Sequence, residues 1–148
     1  MTITRRQAIL GTGAVVILTA CQPDASLTVS AQGSTGMNPG PDGQDRPLTL
    51  TVVQMSGTGA FDGADFFALQ NPQAALGGDF VGAEQIVLAP GGSASKTIGI
   101  KAGATAIGIV AGFRDPAGKV FRLKTAAPSG AAGVIIAVSA GGITLQLV

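Results

Sequence analysis

The stretch ATAIGIVAGFRDPAGKVFRLKT, residues 104–125, decides the fold class. In its first half Ile107, Ile109, Ala111 and Phe113 recur at every second position, the period that puts side chains on one face of a strand. Asp115-Pro116-Ala117-Gly118 then has Pro and Gly where a type I turn uses them. Alternation resumes in KVFRLKT, residues 119–125, which predicts Phe121 and Leu123 inward and Arg122 and Lys124 outward. Two alternating runs joined by a turn make a hairpin, not a helix.

The same rhythm extends in both directions. Downstream, AGVIIAVS (132–139), a Gly-rich turn and ITLQLV (143–148) read as a second hairpin. Upstream, LTVSAQ (27–32), LTLTVVQM (48–55), AEQIVLA (83–89) and ASKTIGI (94–100) read as strands, with Leu48, Leu50 and Val52 on one face. Several strands carry Gly and Ala on the second face, which suits close sheet packing. Residues 56–82 break the rhythm. There Asp62 is placed to cap a short helix through Phe66, Phe67 and Leu69, and Asn71-Pro72 ends it. A further helical turn is expected over Ala74–Leu76. Short strands at turn-punctuated spacing with one helical insertion predict an all-β fold, a two-sheet sandwich of about eight strands.

Composition narrows the chemistry. The chain has no His, Trp or Tyr, and a single Cys. The usual general base and the commonest transition-metal ligand are therefore missing, and Ser–His–Asp or Cys–His catalysis is ruled out. A formal charge of +1 gives no electrostatic case for nucleic-acid binding. Asp62 and Asp65 have helical spacing, but a helix cap and a first-turn acid explain them better than a catalytic pair. Asp42 and Asp45 lack the spacing of a calcium loop, so turn chemistry is the better reading. No enzyme activity, metal or cofactor is expected.

The single cysteine ends an apolar run. MTITRRQ carries Arg5 and Arg6, AILGTGAVVILTA is apolar or small throughout, and Leu18-Thr19-Ala20-Cys21 closes it. This is an export signal ending in a lipobox, and it is too short and Gly-broken for a membrane span. Its chemistry is diacylglycerol transfer to the Cys21 thiol, cleavage before Cys21 and acylation of the freed amine. The expected organisation is a signal peptide over 1–20, a lipidated tether over 21–26 and a β-sandwich domain over 27–148. Gln22 after the cysteine leaves the default destination, the outer membrane, whereas Asp there would favour inner-membrane retention. TRRQAIL partly fits a twin-arginine motif, and that export route stays open beside the general one.

One loop stands out. GSTGMNPGPDGQDRP, residues 33–47, exceeds hairpin length and is crowded with turn formers. With Met37 read as exposed beside Asn38-Pro39, it is a candidate partner contact through Met37, Asn38, Pro39, Gly40, Pro41 and Asp42. A plain connector is the alternative.

In order along the chain, Asn38-Pro39, Arg46-Pro47, Phe61 with Ala64-Asp65-Phe66 and Leu69, Leu88-Ala89-Pro90-Gly91 and Phe113-Arg114-Asp115 follow the lipobox. This order resembles the outer-membrane lipoproteins of the type VI secretion system, the TssJ (VasD/SciN) family. Val53-Gln54-Met55 stands where that pattern has Tyr-Gln-Leu. The resemblance implies a transthyretin-like sandwich with a short helical insert, lipid-anchored in the outer membrane and facing the periplasm. It also implies binding to the periplasmic C-terminal domain of the IcmF-like inner-membrane subunit TssM through the loop between the first two strands. The chain would then be a structural component of the membrane complex. The rival reading is a periplasmic β-sandwich lipoprotein that binds a small ligand or carbohydrate, which would need an aromatic-lined groove.

Overall fold

The computed structural model describes Gly13 and residues 24–148; apart from Gly13 the expected signal peptide over 1–20, and the expected lipidation site Cys21, lie outside the described residues. Eight strands form: β1 (Ser26–Gly33), β2 (Leu48–Met55), β3 (Phe80–Leu88), β4 (Ser93–Gly99), β5 (Ala106–Ala111), β6 (Arg122–Ala126), β7 (Ala131–Ser139) and β8 (Gly142–Leu147). They build two four-stranded sheets, ordered β4-β1-β7-β8 and β3-β2-β5-β6. Every pairing is antiparallel except β1 with β7.

The period-2 pattern accounts for the core between the sheets. Leu27, Val29 and Ala31 of β1 meet Leu48, Leu50 and Val52 of β2, together with Ile107, Ile109, Ala111 and Phe113 around β5. Val134, Ile136 and Val138 of β7 complete it.

The second face of β2 and β5 is buried as well, which the alternation did not reveal. Val53, Met55, Ala106 and Val110 lie under the insert with Phe61, Leu69 and Leu76. The insert holds three short helices, α1 (Gly59–Gly63), α2 (Phe66–Leu69) and α3 (Pro72–Leu76), then a single 3₁₀ turn over Gly77–Asp79. Gly108 explains the seat of Phe61. A Cβ built on it would stand 2.6 Å from Phe61 Cε2, so the strand is flat there to admit a ring. The small residues of this face accommodate helices, not another sheet.

Two expectations, at the insert and beside it, need correction. The cap of α2 is Asp65, whose carboxylate accepts the Ala68 N–H at 2.8 Å. Asp62 lies inside α1 and pairs with Lys124 Nζ at 2.5 Å. Arg122 does point away from the sandwich core, but toward the insert instead of solvent. Its guanidinium donates to the carbonyls of Phe61 and Ala64. A helix backbone turns the last carbonyls of a short segment outward without partners, and a cation on the adjacent strand supplies them.

Among the described residues no helix is long and apolar enough to cross a membrane.

Candidate functional site

The β1–β2 loop is a built object. At its start Gly33 N–H donates to Gly92 O at 2.8 Å and Ser34 N–H to Val138 O at 2.9 Å. Gly36 has φ +80°, in the left-handed region that glycine adopts without strain, and the chain reverses there. The reversal sends Met37 inward. Its side chain is 0% exposed and joins the core between the sheets. Gly33 makes the room: a Cβ on it would meet Met37 Sδ at 2.7 Å and Leu88 Cδ2 at 3.2 Å.

Met37 was expected to be an exposed anchor, and the structure corrects this. It is the apolar plug that closes one end of the sandwich. A polar stretch conceals such a residue because neither a periodicity nor an apolar neighbour marks it.

Asn38 is corrected in the same way. It is 3% exposed, and its side chain bonds inside the molecule. Nδ2 donates to Pro47 O at 3.1 Å, and Oδ1 accepts the N–H of Arg114 at 2.9 Å. Its backbone N–H donates to Asp45 Oδ1 at 2.9 Å, and its carbonyl accepts the Arg46 N–H at 2.9 Å. Asn38 therefore clamps the loop to the turn after β5, and at 3% exposure it presents almost no surface to a partner.

Beyond this clamp the tip forms a miniature hairpin. Pro39 bridges to Asp45, Gly40 N–H donates to Gln44 O at 2.7 Å, and Gly43 N–H donates to Gly40 O at 3.0 Å. Asp42 pairs with Arg46 at 3.0 Å across it and caps the Gln44 N–H at 3.1 Å. Gly40 lies under that ion pair, where a Cβ would stand 2.8 Å from Arg46 Nε. Asp45 accepts from Gly36 N at 2.5 Å as well as from Asn38 N. The Asn38 N–H above all holds the Asp45 carboxyl below its ordinary range, with desolvation opposing and the N–H groups of Gly36, Arg46 and Met37 assisting. Pro39, Pro41, Asp42, Gly43, Gln44 and Arg46 stand exposed, with Gly40 half-buried.

Of the six residues expected at a contact, the structure brings Pro39, Gly40, Pro41 and Asp42 to the surface. It adds Gln44 and Arg46, which the sequence reading did not select. The Asp42–Arg46 spacing of four was the available signal, although the pair closes a hairpin here and not a helical turn.

The loop has a definite place in the molecule. The connections β1–β2, β3–β4, β5–β6 and β7–β8 all lie at one end of the sandwich, as the pairings Leu48 with Leu88, Leu50 with Ala111 and Gly33 with Val138 require. The opposite end carries the entry to β1, where Ser26 N–H donates to Gly130 O and Ala25 O accepts from Ile100. Along the eight residues of β1 the two ends stand apart by roughly 25 Å, at about 3.3 Å per residue.

The carboxylates Asp62 and Asp65 do not assemble a site: one is in an ion pair and the other caps a helix.

The family model described as "Type VI secretion lipoprotein, VasD, EvfM, TssJ" matches residues 25–141. Among solved structures, that of the type VI secretion lipoprotein TssJ1 from Pseudomonas aeruginosa is similar over 85% of this chain and 98% of that one, at 27% identity and a TM-score of 0.77. Lip from Serratia marcescens, a membrane-bound component of the type VI secretion system, matches over 82% and 97% at 20% identity, TM-score 0.72. A chain in a structure described as the TssM C-terminal domain (869-1107) from EAEC matches over 84% and 98% at 22% identity, TM-score 0.62. The last two likenesses bear on the fold alone. No curated protein sequence gives a significant match.

Proposed function

The chain belongs to the type VI secretion lipoprotein family, and we propose that it is the outer-membrane-anchored member of the secretion membrane complex, binding the IcmF-like subunit TssM from the periplasmic side. In this reading residues 1–20 are removed, Cys21 carries the lipid, residues 21–26 are the tether and 27–148 are the binding domain. The role is structural, not enzymatic.

One observation carries the reading. The tether would enter β1 at one end of the sandwich, and the preorganised tip, Pro39, Gly40, Pro41 and Asp42 with Gln44 and Arg46, projects from the other. A protein held to a membrane at its amino end would thus present this tip away from the bilayer, toward an inner-membrane partner. Rigidity supports the same reading, since a loop already held in one conformation loses little entropy on docking. The presence of a chain of this fold in a structure described by a TssM C-terminal domain supports the choice of partner.

The test is calorimetric titration of the chain from residue 22 onward against the periplasmic C-terminal domain of that subunit. Replacing residues 39–42 with Gly and Ser at equal length should leave the melting curve in place and remove most of the binding heat. Unaltered affinity in that variant would move the contact elsewhere, and no binding by the unaltered domain would overturn the partner. The anchor is tested separately. Several acyl chains hold a protein to a bilayer where one is marginal, so Cys21→Ser should abolish membrane retention through a salt wash. Processed, membrane-retained Cys21→Ser protein would refute it.

A further inference from the structure

Each sheet ends in two edge strands, β4 and β8 in one, β3 and β6 in the other. An edge strand presents unpaired N–H and C=O groups, and folded proteins guard such edges with charge, proline or a bulge. Three of these edges are guarded. β3 carries Glu84 and a register shift opposite Gln54 and Met55, and β4 carries Lys96, which pairs with Glu84 at 2.7 Å. β6 carries Arg122 and Lys124. β8 has no guard, for no charged residue occurs after Lys124 and no proline after Pro128.

The free groups on β8 can be located from its register. Ser139 and Gly142 close the hairpin, and antiparallel pairing alternates from there. Gly142, Thr144 and Gln146 therefore exchange hydrogen bonds with β7, and Val148 N–H continues the series to Gly133 O at 3.1 Å. The N–H and C=O groups of Ile143, Leu145 and Leu147 face outward. Val120 O takes the Ile143 N–H at 2.9 Å. Leu145 and Leu147 each keep one donor and one acceptor at the open edge. Leu147 on this edge is 66% exposed, and Val148 after it and Val120 beside Gly142 are exposed as well.

We propose that β8 is a self-association edge that takes β8 of a second copy, antiparallel, across a two-fold axis at Gln146. In this register Leu145 faces Leu147 of the second copy, and Leu147 faces its Leu145. The free donor and acceptor of Leu145 and of Leu147 on both strands find partners, and the exposed Leu147 side chain packs beside Leu145 of the other copy. The two four-stranded sheets join into one continuous sheet.

Two features favour a second copy over a foreign strand. The free groups are self-complementary, as a closed two-fold contact requires. The Val120 cap also limits the open edge at Ile143. The open edge is thereby confined to Leu145 and Leu147, the two residues that this two-fold register pairs with each other, and a strand added over a longer stretch would run into the cap. No charged side chain on β8 meets its like across the pairing.

Disulfide trapping tests the register. Gln146 would sit opposite its own copy as a non-hydrogen-bonded pair, with Cα atoms about 4.5 Å apart, inside the ~4.4–6.8 Å span of a disulfide. The full chain carrying Gln146→Cys should give a band of twice the chain mass after mild oxidation. The parent, whose only cysteine is Cys21, and Ser95→Cys on β4 should not. Light scattering on the unaltered full chain should show the mass doubling with concentration. Leu147→Pro gives up only an N–H that β7 does not use, so it should melt normally and stay monomeric. Should the proline variant fail to fold, Leu147→Lys serves instead, with the same expected loss of dimer. A Gln146→Cys chain that cross-links no faster than Ser95→Cys would overturn the proposal. So would an unaltered chain monomeric at every concentration, or capture of a different protein in place of a second copy.

Discussion

The Asn38 carboxamide oxygen accepts the backbone N–H of Arg114 at 2.9 Å, across 76 positions of sequence. This bond ties the β1–β2 loop to the turn that follows β5, and Asn38 Nδ2 ties the same loop to Pro47 O. Removing the side chain leaves a donor and an acceptor without partners at a buried site. Such a loss costs about 1–3 kcal/mol. Asn38→Ala should lower stability in chemical denaturation by that amount. It should also weaken partner binding although Asn38 itself is covered, because the tip loses its brace. Asn38→Asp keeps an acceptor for Arg114 but sets a buried carboxylate oxygen against the Pro47 carbonyl, so at neutral pH it should destabilise at least as much as Asn38→Ala.

Met37 and the tip should separate cleanly. Truncation of a fully buried Met typically costs ~2–5 kcal/mol, so Met37→Ala should shift the melting curve strongly. Pro41→Ala, at an exposed position, should leave the curve near the parent's while reducing affinity for the partner. Equal melting curves for the two variants would show that Met37 does not plug the core.

The insert gives a second contrast. Phe61 is buried against Gly108, whereas Phe67 is 78% exposed. Phe61→Ala should cost about 3–5 kcal/mol, and Phe67→Ala close to nothing. Gly108→Val should be as damaging as Phe61→Ala, because its first added carbon enters the space of the ring. In that background Phe61→Ala should recover part of the loss, a coupling that a double-mutant cycle measures.

The loop should loosen in acid. Asp45 has its carboxyl lowered from the ordinary 3.8, first by the Asn38 N–H. A group lowered in the folded state contributes stability above its ordinary value and loses it as pH falls through the folded one. The amide resonances of Gly36 and Asn38 should therefore titrate together, with a midpoint below 3.8. A midpoint at or above that value would mean that these bonds do not hold the carboxylate. Asp45→Asn should remove the titration altogether.

The strands were legible because alternation is a direct record of two unlike faces. It was clear at Ile107, Ile109 and Ala111 and at Val134, Ile136 and Val138, where one side meets the core. It failed where both sides of a strand are covered. The insert over Val53, Met55 and Val110 turns an outward face into a second core, and nothing in a period-2 reading distinguishes a glycine that weakens a strand from one that receives Phe61. At the loop, length and turn formers marked the right segment, but which residues face outward depended on the reversal at Gly36. One backbone angle there decides whether Met37 meets solvent or the core.

The course of β1 has a mechanical consequence. It runs from the end where Ala25 enters the sandwich to the loop end and is bonded on both flanks, to β4 antiparallel and to β7 parallel. Tension between the residues before Ser26 and the tip would act along its axis. Its hydrogen bonds would then be loaded in shear, all sharing the force at once, instead of being opened one after another as at a peeled edge. The strand that links the two ends is therefore the one placed to resist elongation.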